Sequence, residues 1–186
     1  MTKSFKKIVG VLLILFLIAW IVIKGINLPQ KIQRQMYPQK YSEYVHQYSE
    51  ENKVDPLLTF AIIKAESNFK SDVVSKSNAI GLMQLMESTA QETCRKLKLE
   101  YQKQMLSEPE YNIRLGTKYF ADLLQKYENI PIALTAYNAG SGNVDKWIEK
   151  GTIQKDGSDV ENIPYRETNN YVRKILRDYQ KYQELY

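Results

Sequence analysis

The sequence predicts an all-α protein in which one N-terminal membrane helix precedes a compact domain of about six to eight short helices. Three observations lead there. An uncharged apolar run of sixteen residues, Ile8–Ile23, lies near the start of the chain. From Tyr41 onward, apolar residues recur at helical spacing almost throughout. No stretch of useful length alternates with the period of a strand, and there is no internal repeat.

The apolar run follows Lys3, Lys6 and Lys7 and is closed by Lys24. It is short for a span of about 20 residues, but Phe5 and Ile26 extend its apolar reach and the lysines can snorkel to the interface. A cleaved signal peptide needs small residues just after the run, whereas here it ends in Trp20, Ile21, Val22, Ile23 and Lys24. An uncleaved anchor over residues 1–26 is therefore favoured over a cleaved signal. The leading lysines keep the N-terminus in the cytoplasm and place the rest beyond the cell membrane as a single-pass protein.

The formal net charge of +5 arises mostly in this segment, because the chain after residue 26 carries 22 basic and 21 acidic side chains. That balance excludes a nucleic-acid-binding face, which needs clustered cations. Cys94 is the single cysteine, so an intramolecular disulfide is excluded. A small, semi-buried helix residue explains it better than a catalytic thiol does. His46 is the only histidine, which rules out a multi-histidine metal site and reads as a surface residue of a tyrosine-rich helix.

Residues 27–40 are Gln-rich and interrupted by Pro29 and Pro38, as in a juxtamembrane linker. The domain then occupies 41–186. Tyr41, Tyr44, Val45 and Tyr48 lie at i, i+3, i+4 and i+7 and predict a first amphipathic helix. Asp55 and Pro56 form a cap and first-turn pair for the next, which ends near Glu66. Ser88 is the expected cap of a helix through Leu97, and Ser107 of one from Pro109 to about Tyr127. Pro131 opens a shorter helix stopped by Gly140 and Gly142, and Asn143 caps a segment with Val144, Trp147 and Ile148. A polar loop with Gly151, Asp156, Gly157 and Ser158 follows, and Glu167–Tyr186 reads as a final helix.

One residue breaks the helical pattern. In "TFAIIKAESNF" (59–69), Ile62 and Ile63 lie four and three positions before Glu66, so the carboxylate shares the face the helix should bury. A surface pair with Lys70 is one account, although Asn68 ends the helix before Lys70 becomes a helical neighbour. The other is chemistry: a carboxyl in apolar surroundings has a raised pKa and can serve as a general acid. The pattern leaves both open. In "SNAIGLMQLMEST" (77–89), Gly81 supplies a turn and Gln84 an amide that both donates and accepts, while Met83 and Met86 read equally well as core. In "AYNAGSGNV" (136–144), Tyr137 and Asn138 precede a glycine turn that could also be an ordinary helix end.

Together these stretches resemble the lytic transglycosylases with the soluble-type (SLT) domain, related to goose-type lysozyme. The resemblance rests on Glu66-Ser67 in "AIIKAESNF", "GLMQLM" at 81–86, "AYNAG" at 136–140 and "IPYRETNNYVRKIL" at 163–176. "LSEPEYNIRLGTKYFADLL" (106–124) is similar to the family's intervening helix, and the likeness spans roughly residues 40–182. It implies a lysozyme-like helical domain acting on the glycan strands of peptidoglycan, without metal or cofactor. By the same resemblance Glu66 stands at the catalytic acid and base. Ser67 positions the acid or the substrate, and Met83 and Gln84 line the sugar groove. Tyr137 and Asn138 face the glutamate, and Glu167 and Tyr171 close the site from the last helix, with packing an equal reading for Glu167. Glu87 stands where the family commonly has proline, and Asn78 where it commonly has glycine. Asn is well suited to a positive φ, and neither change touches the implied chemistry.

The implied reaction needs only one carboxyl. Glu66 gives its proton to the glycosidic oxygen between N-acetylmuramic acid (MurNAc) and N-acetylglucosamine (GlcNAc). It then takes one from the muramyl C6 hydroxyl, which closes a 1,6-anhydro ring. Two alternatives remain: a hydrolase of the goose-lysozyme kind, which needs an acid to activate water, and a non-catalytic peptidoglycan-binding module.

Overall fold

A computed structural model describes residues 12, 13, 15, 16 and 30–186. The expected anchor over 1–26 therefore falls almost wholly outside the described residues; Leu12, Leu13, Leu15 and Phe16 are helical and mostly exposed. Among the described residues no helix is long and apolar enough to cross a membrane. The chain divides at Pro38 into two compact units. In the first, α1 (Gln30–Met36) is helical within the stretch expected to be a linker. Its Gln, Lys, Arg and Met residues are good helix formers, and Pro38 disfavours helical backbone at the residue before it.

The second unit contains α2 (Ser42–Glu51), α3 (Pro56–Glu66), α4 (Glu87–Leu97), α5 (Pro109–Tyr127), α6 (Ile130–Ala139), α7 (Ser141–Glu149) and α8 (Arg166–Leu185). Short 3₁₀ turns lie at Lys103–Ser107 and Val160–Asn162. The described residues contain no strand, only isolated antiparallel bridges of Ile80 with Val74 and with Leu85. The all-α expectation holds.

Helix α3 sits at the centre because its sequence is apolar on every side, the signature of a core helix. Leu58, Thr59, Phe60, Ala61, Ile62 and Ile63 are all buried, and the Thr59 hydroxyl is satisfied by Ser49 at 2.9 Å. Asp55 caps its start as expected, accepting from the Leu57 amide at 2.8 Å. The helix ends abruptly: Asn68 and Phe69 have φ of 50° and 63°. The left-handed region costs a side-chain-bearing residue about 1–2 kcal/mol. Burying the Phe69 ring contributes about 1.5–3 kcal/mol toward offsetting that, and the ring is 3 % exposed.

The segment between α3 and α4 is fixed from α5, which also packs on α2 and α6. Asn112 is fully buried and spends its whole side-chain amide there. It accepts from the Met83 amide at 2.7 Å and donates to the Ile80 and Leu106 carbonyls at 2.9 and 2.8 Å. Gly81, with φ of 82°, lies so close that a Cβ would strike the Leu106 carbonyl and the Asn112 amide. Below it, a Cβ on Gly116 would strike Met83. The backbone of 80–83 is thus pressed onto α5.

Several caps differ from expectation. Helix α4 starts at Glu87, one residue before Ser88. Glu108, not Ser107, precedes Pro109 in α5, and Ser107 closes a 3₁₀ turn. Helix α7 begins at Ser141, so Gly142 and Asn143 lie inside it; Gly140 alone, with φ of 84°, separates α6 from α7. In each case the chain is turned by a backbone conformation or a neighbouring proline, leaving the hydroxyl or amide nothing to cap. His46 is half-buried with its ring edge-on to Phe60 at 5.9 Å, because α2 packs on α3. Cys94 is buried, 3.1 Å from the Tyr111 hydroxyl.

Asn112→Ala strips three buried backbone groups of their partner at once. The expected cost is about 2–4 kcal/mol, read as a lower urea midpoint with the slope unchanged; a midpoint equal to wild type would show that 80–83 is held by other contacts.

Candidate active site

Glu66 is the last residue of α3 and is only partly exposed. Burial pushes its carboxyl from an ordinary 4.5 up to about 7, against the Tyr171 hydroxyl and the Lys174 ammonium, which pull it down. The negative end of the α3 dipole also disfavours a charge at this position. Tyr171 donates to Glu66 Oε1 at 2.6 Å. Lys174, one turn further along α8, donates to the carbonyl of Ala65 at 3.4 Å. The Tyr137 and Tyr171 phenols are pushed well above the usual range, first by burial and then by the nearby Glu66 charge. They therefore remain protonated donors.

The other expected site residues divide into those near the carboxyl and those that support it. Tyr137 donates to the Met83 carbonyl at 2.7 Å and packs against the Tyr119 ring at 5.2 Å. Ser67 is buried and turned away from Glu66. Its hydroxyl donates to the Leu82 carbonyl at 2.8 Å and lies 3.2 Å from that of Ile63. Met83, expected along the groove, is fully buried. A Met side chain opposite Gly116 fills space in the core, so only its carbonyl reaches the tyrosine layer. Gln84 is half-buried with φ of 47°, and its amide donates to the Gly81 and Val73 carbonyls at 2.8 and 3.1 Å.

Asn138 is exposed and accepts from the Thr168 hydroxyl at 2.7 Å. Glu167 is exposed on the first turn of α8 and makes no hydrogen bond or ion pair among the described residues. The row of α8 that meets the site is therefore Thr168, Tyr171 and Lys174, spaced i, i+3 and i+6. It is not the i, i+4 pair of Glu167 and Tyr171. Thr168 and Lys174 were missed in the sequence; stepping by three from Tyr171 in both directions finds them. Among the described residues no cluster of three or more His, Cys, Asp or Glu is placed to hold a metal ion.

What the arrangement can do is donate a proton from a carboxyl that is neutral near pH 7 and then tolerate the resulting anion beside a phenol and an ammonium. Comparison with known proteins points the same way: the transglycosylase SLT domain matches residues 43–159. The chain belongs to that family. A putative soluble lytic murein transglycosylase of Haemophilus influenzae is 38% identical over 143 residues, covering 75% of this chain and 24% of that protein. The membrane-bound lytic murein transglycosylase C of Edwardsiella ictaluri is 38% identical over 116 residues, 56% of this chain and 32% of that protein. Among solved structures, an inactive glutamate-to-glutamine mutant of the lytic transglycosylase Slt from Pseudomonas aeruginosa superposes with a TM-score of 0.74 at 34% identity. It covers 80% of this chain and 24% of that one. The chain thus spans about a quarter of the length of the Haemophilus influenzae and Pseudomonas aeruginosa proteins and about a third of the Edwardsiella ictaluri one. The lysozyme-like helical fold expected from the motifs is the fold found.

The raised pKa of Glu66 carries a stability consequence whose sign is fixed. The folded state holds this proton more tightly than the unfolded state, so the wild type loses stability as pH rises from 4.5 through about 7. Glu66→Gln cannot ionise and escapes that loss. The mutant should match wild type near pH 4.5 and exceed it at pH 8 by at most about 3 kcal/mol, measured by thermal or urea unfolding. Parallel pH curves would place the carboxyl in water instead.

Proposed function

We propose that this chain is a lytic transglycosylase that cleaves the MurNAc-β-1,4-GlcNAc bond of peptidoglycan without water and leaves 1,6-anhydro-MurNAc ends. The observation that carries the reading is the Glu66 carboxyl, raised to about 7 by burial and hydrogen-bonded by Tyr171. The names of the relatives support the substrate class, and the inactive mutant of the Pseudomonas aeruginosa relative is likewise a glutamate changed to glutamine.

Protonated Glu66 donates to the glycosidic oxygen as the C1–O bond breaks and the GlcNAc hydroxyl departs. The resulting carboxylate accepts the Tyr171 hydrogen bond and removes the proton of the muramyl C6 hydroxyl. That oxygen bonds to C1, closing the anhydro ring and restoring the acid. Two-carboxylate glycosidases place a second acid across the bond. Among the described residues the titratable groups acting on Glu66 are Tyr171 and Lys174, with no second carboxylate among them, and this favours the internal nucleophile over activated water. The lysine-flanked apolar run supports tethering at the outer face of the cell membrane, as does similarity to a relative named membrane-bound.

Digestion of purified sacculi by the full chain should release muropeptides with anhydro ends by mass spectrometry, and reducing MurNAc ends without the anhydro form would instead identify a hydrolase. Glu66→Gln should lose at least about 10³-fold in kcat while retaining binding to sacculi. Because the acid must be protonated, kcat/KM should fall as pH rises through about 7.

Tyr171→Phe removes a donor to the carboxylate, so that descending limb should move to higher pH while the maximal rate falls about tenfold. A limb left in place would mean that Tyr171 serves packing alone.

A further inference from the structure

The two-step reaction leaves Glu66 as an anion between its proton transfers, and the site must stabilise that anion without ionising the acid beforehand. Tyr171 supplies one hydrogen bond. Around it the charged and titratable groups come from several elements: Tyr137 from α6, Tyr119 from α5, Tyr171 and Lys174 from α8. The adjoining pair Lys64–Asp178 is engaged across α3 and α8 at 3.1 Å. Glu167 lies exposed one turn before Tyr171 on the same helix.

Lys174 differs from the other cations here. It makes no ion pair among the described residues, and its ammonium rests at 3.4 Å on the carbonyl of Ala65, the residue before Glu66. That contact is long for a hydrogen bond to an ammonium. The carbonyl belongs to the last turn of α3, whose free carbonyls attract a cation. A half-buried lysine is thus parked on the backbone beside the acid, one helical step from the tyrosine that touches it.

We propose that Lys174 is a positioning residue whose ammonium, held on the Ala65 carbonyl, stabilises the Glu66 carboxylate formed between the two proton transfers. The inference rests on the proposed role of Glu66. A cation this close favours the ionised form, and the direction of its effect on the Glu66 carboxyl agrees. Distance limits the effect: without a direct ion pair, burial still prevails and holds the carboxyl at about 7. Were the ammonium bonded to the carboxylate outright, the acid would be spent before the substrate arrived.

The test compares full-length wild type, Lys174→Met and Lys174→Arg on purified sacculi, with anhydromuropeptide release followed across pH. Lys174→Met should shift the descending limb upward by about one pH unit and lower kcat about tenfold with KM unchanged, and Lys174→Arg should return the limb to its wild-type position. A lower rate with an unmoved limb would reduce Lys174 to a packing residue, and a raised KM alone would make it a substrate contact; either overturns the inference. Carbon-13 titration of the Glu66 carboxyl in wild type and Lys174→Met gives the same reading should the mutant be too slow to assay, and equal titration curves count against the proposal. Failure of the parent reading is separate: wild type would release no anhydro ends, or its limb would persist in Glu66→Gln, and both ideas would fall together.

Discussion

The site depends on how α8 is fastened along α3. From Tyr171 to Tyr182 the residues of α8 meet α3 in reverse order. Tyr171 bonds Glu66, Lys174 bonds the Ala65 carbonyl, Asp178 pairs with Lys64, and the Tyr182 ring stacks on Phe60 at 5.8 Å. Tyr179 adds a bond of 2.6 Å to Asp55 near the other end of α3. The two helices are therefore antiparallel, and their register decides which side chain faces the acid. A slip of one residue along α8 rotates the next side chain by about 100°, which would carry the Tyr171 hydroxyl away from the carboxyl.

The energies of these contacts have different uses. The stacked Phe60 and Tyr182 rings are both fully buried and contribute through the apolar area they remove from water. The Lys64–Asp178 pair, with Asp178 only 3 % exposed, is a poor source of net stability because desolvation offsets most of the attraction. Losing one partner, however, leaves a buried charge and costs several times more, so the pair penalises wrong registers. Apolar burial holds α8 down while the ion pair and the tyrosine bonds fix where it lies. From the opposite side Asn112 plays a similar part. By gripping 80–83 it sets the Met83 carbonyl, and that carbonyl takes the Tyr137 hydroxyl. The tyrosine layer is thereby suspended between α8 and α5 through bonds that are each complete.

What could be read in the sequence follows from how local each signal is. The cap at Asp55, the interruption at Gly140 and the end of α3 near Glu66 depend on a few neighbouring residues, and they were legible. Glu66 was legible as an anomaly because its neighbours Ile62 and Ile63 set the face against which a carboxylate stands out. The supporting residues were less so. A motif shows that Met83 matters but not that it points inward, because its burial is decided by Gly116, more than thirty positions away. Thr168 and Lys174 carry no local oddity at all. Only the crossing of α8 over α3 reveals which row of the final helix is used, and that crossing is a tertiary fact. The same holds for His46, whose half-burial comes from the approach of α2 to α3.

In the proposed reaction the cost of burying Glu66 becomes part of how the site works. A carboxyl in water would be ionised at neutral pH and could not protonate a leaving oxygen, while one sealed in apolar packing could never release the proton. The structure lies between those limits. Burial raises the carboxyl to about 7, where neutral and charged forms differ little in free energy and proton transfer either way needs little driving force. Tyr171 holds that balance from one side, because its hydroxyl can donate to the anion yet is kept protonated by its own burial and by the charge it faces. In the proposed reaction a stronger donor set would stabilise the carboxylate before substrate binds, and an apolar replacement would strand it after the first transfer. One buried phenol in direct contact, with an ammonium held back on the neighbouring carbonyl, is a compromise between the two, and it accounts for why the polar residues around this acid are few.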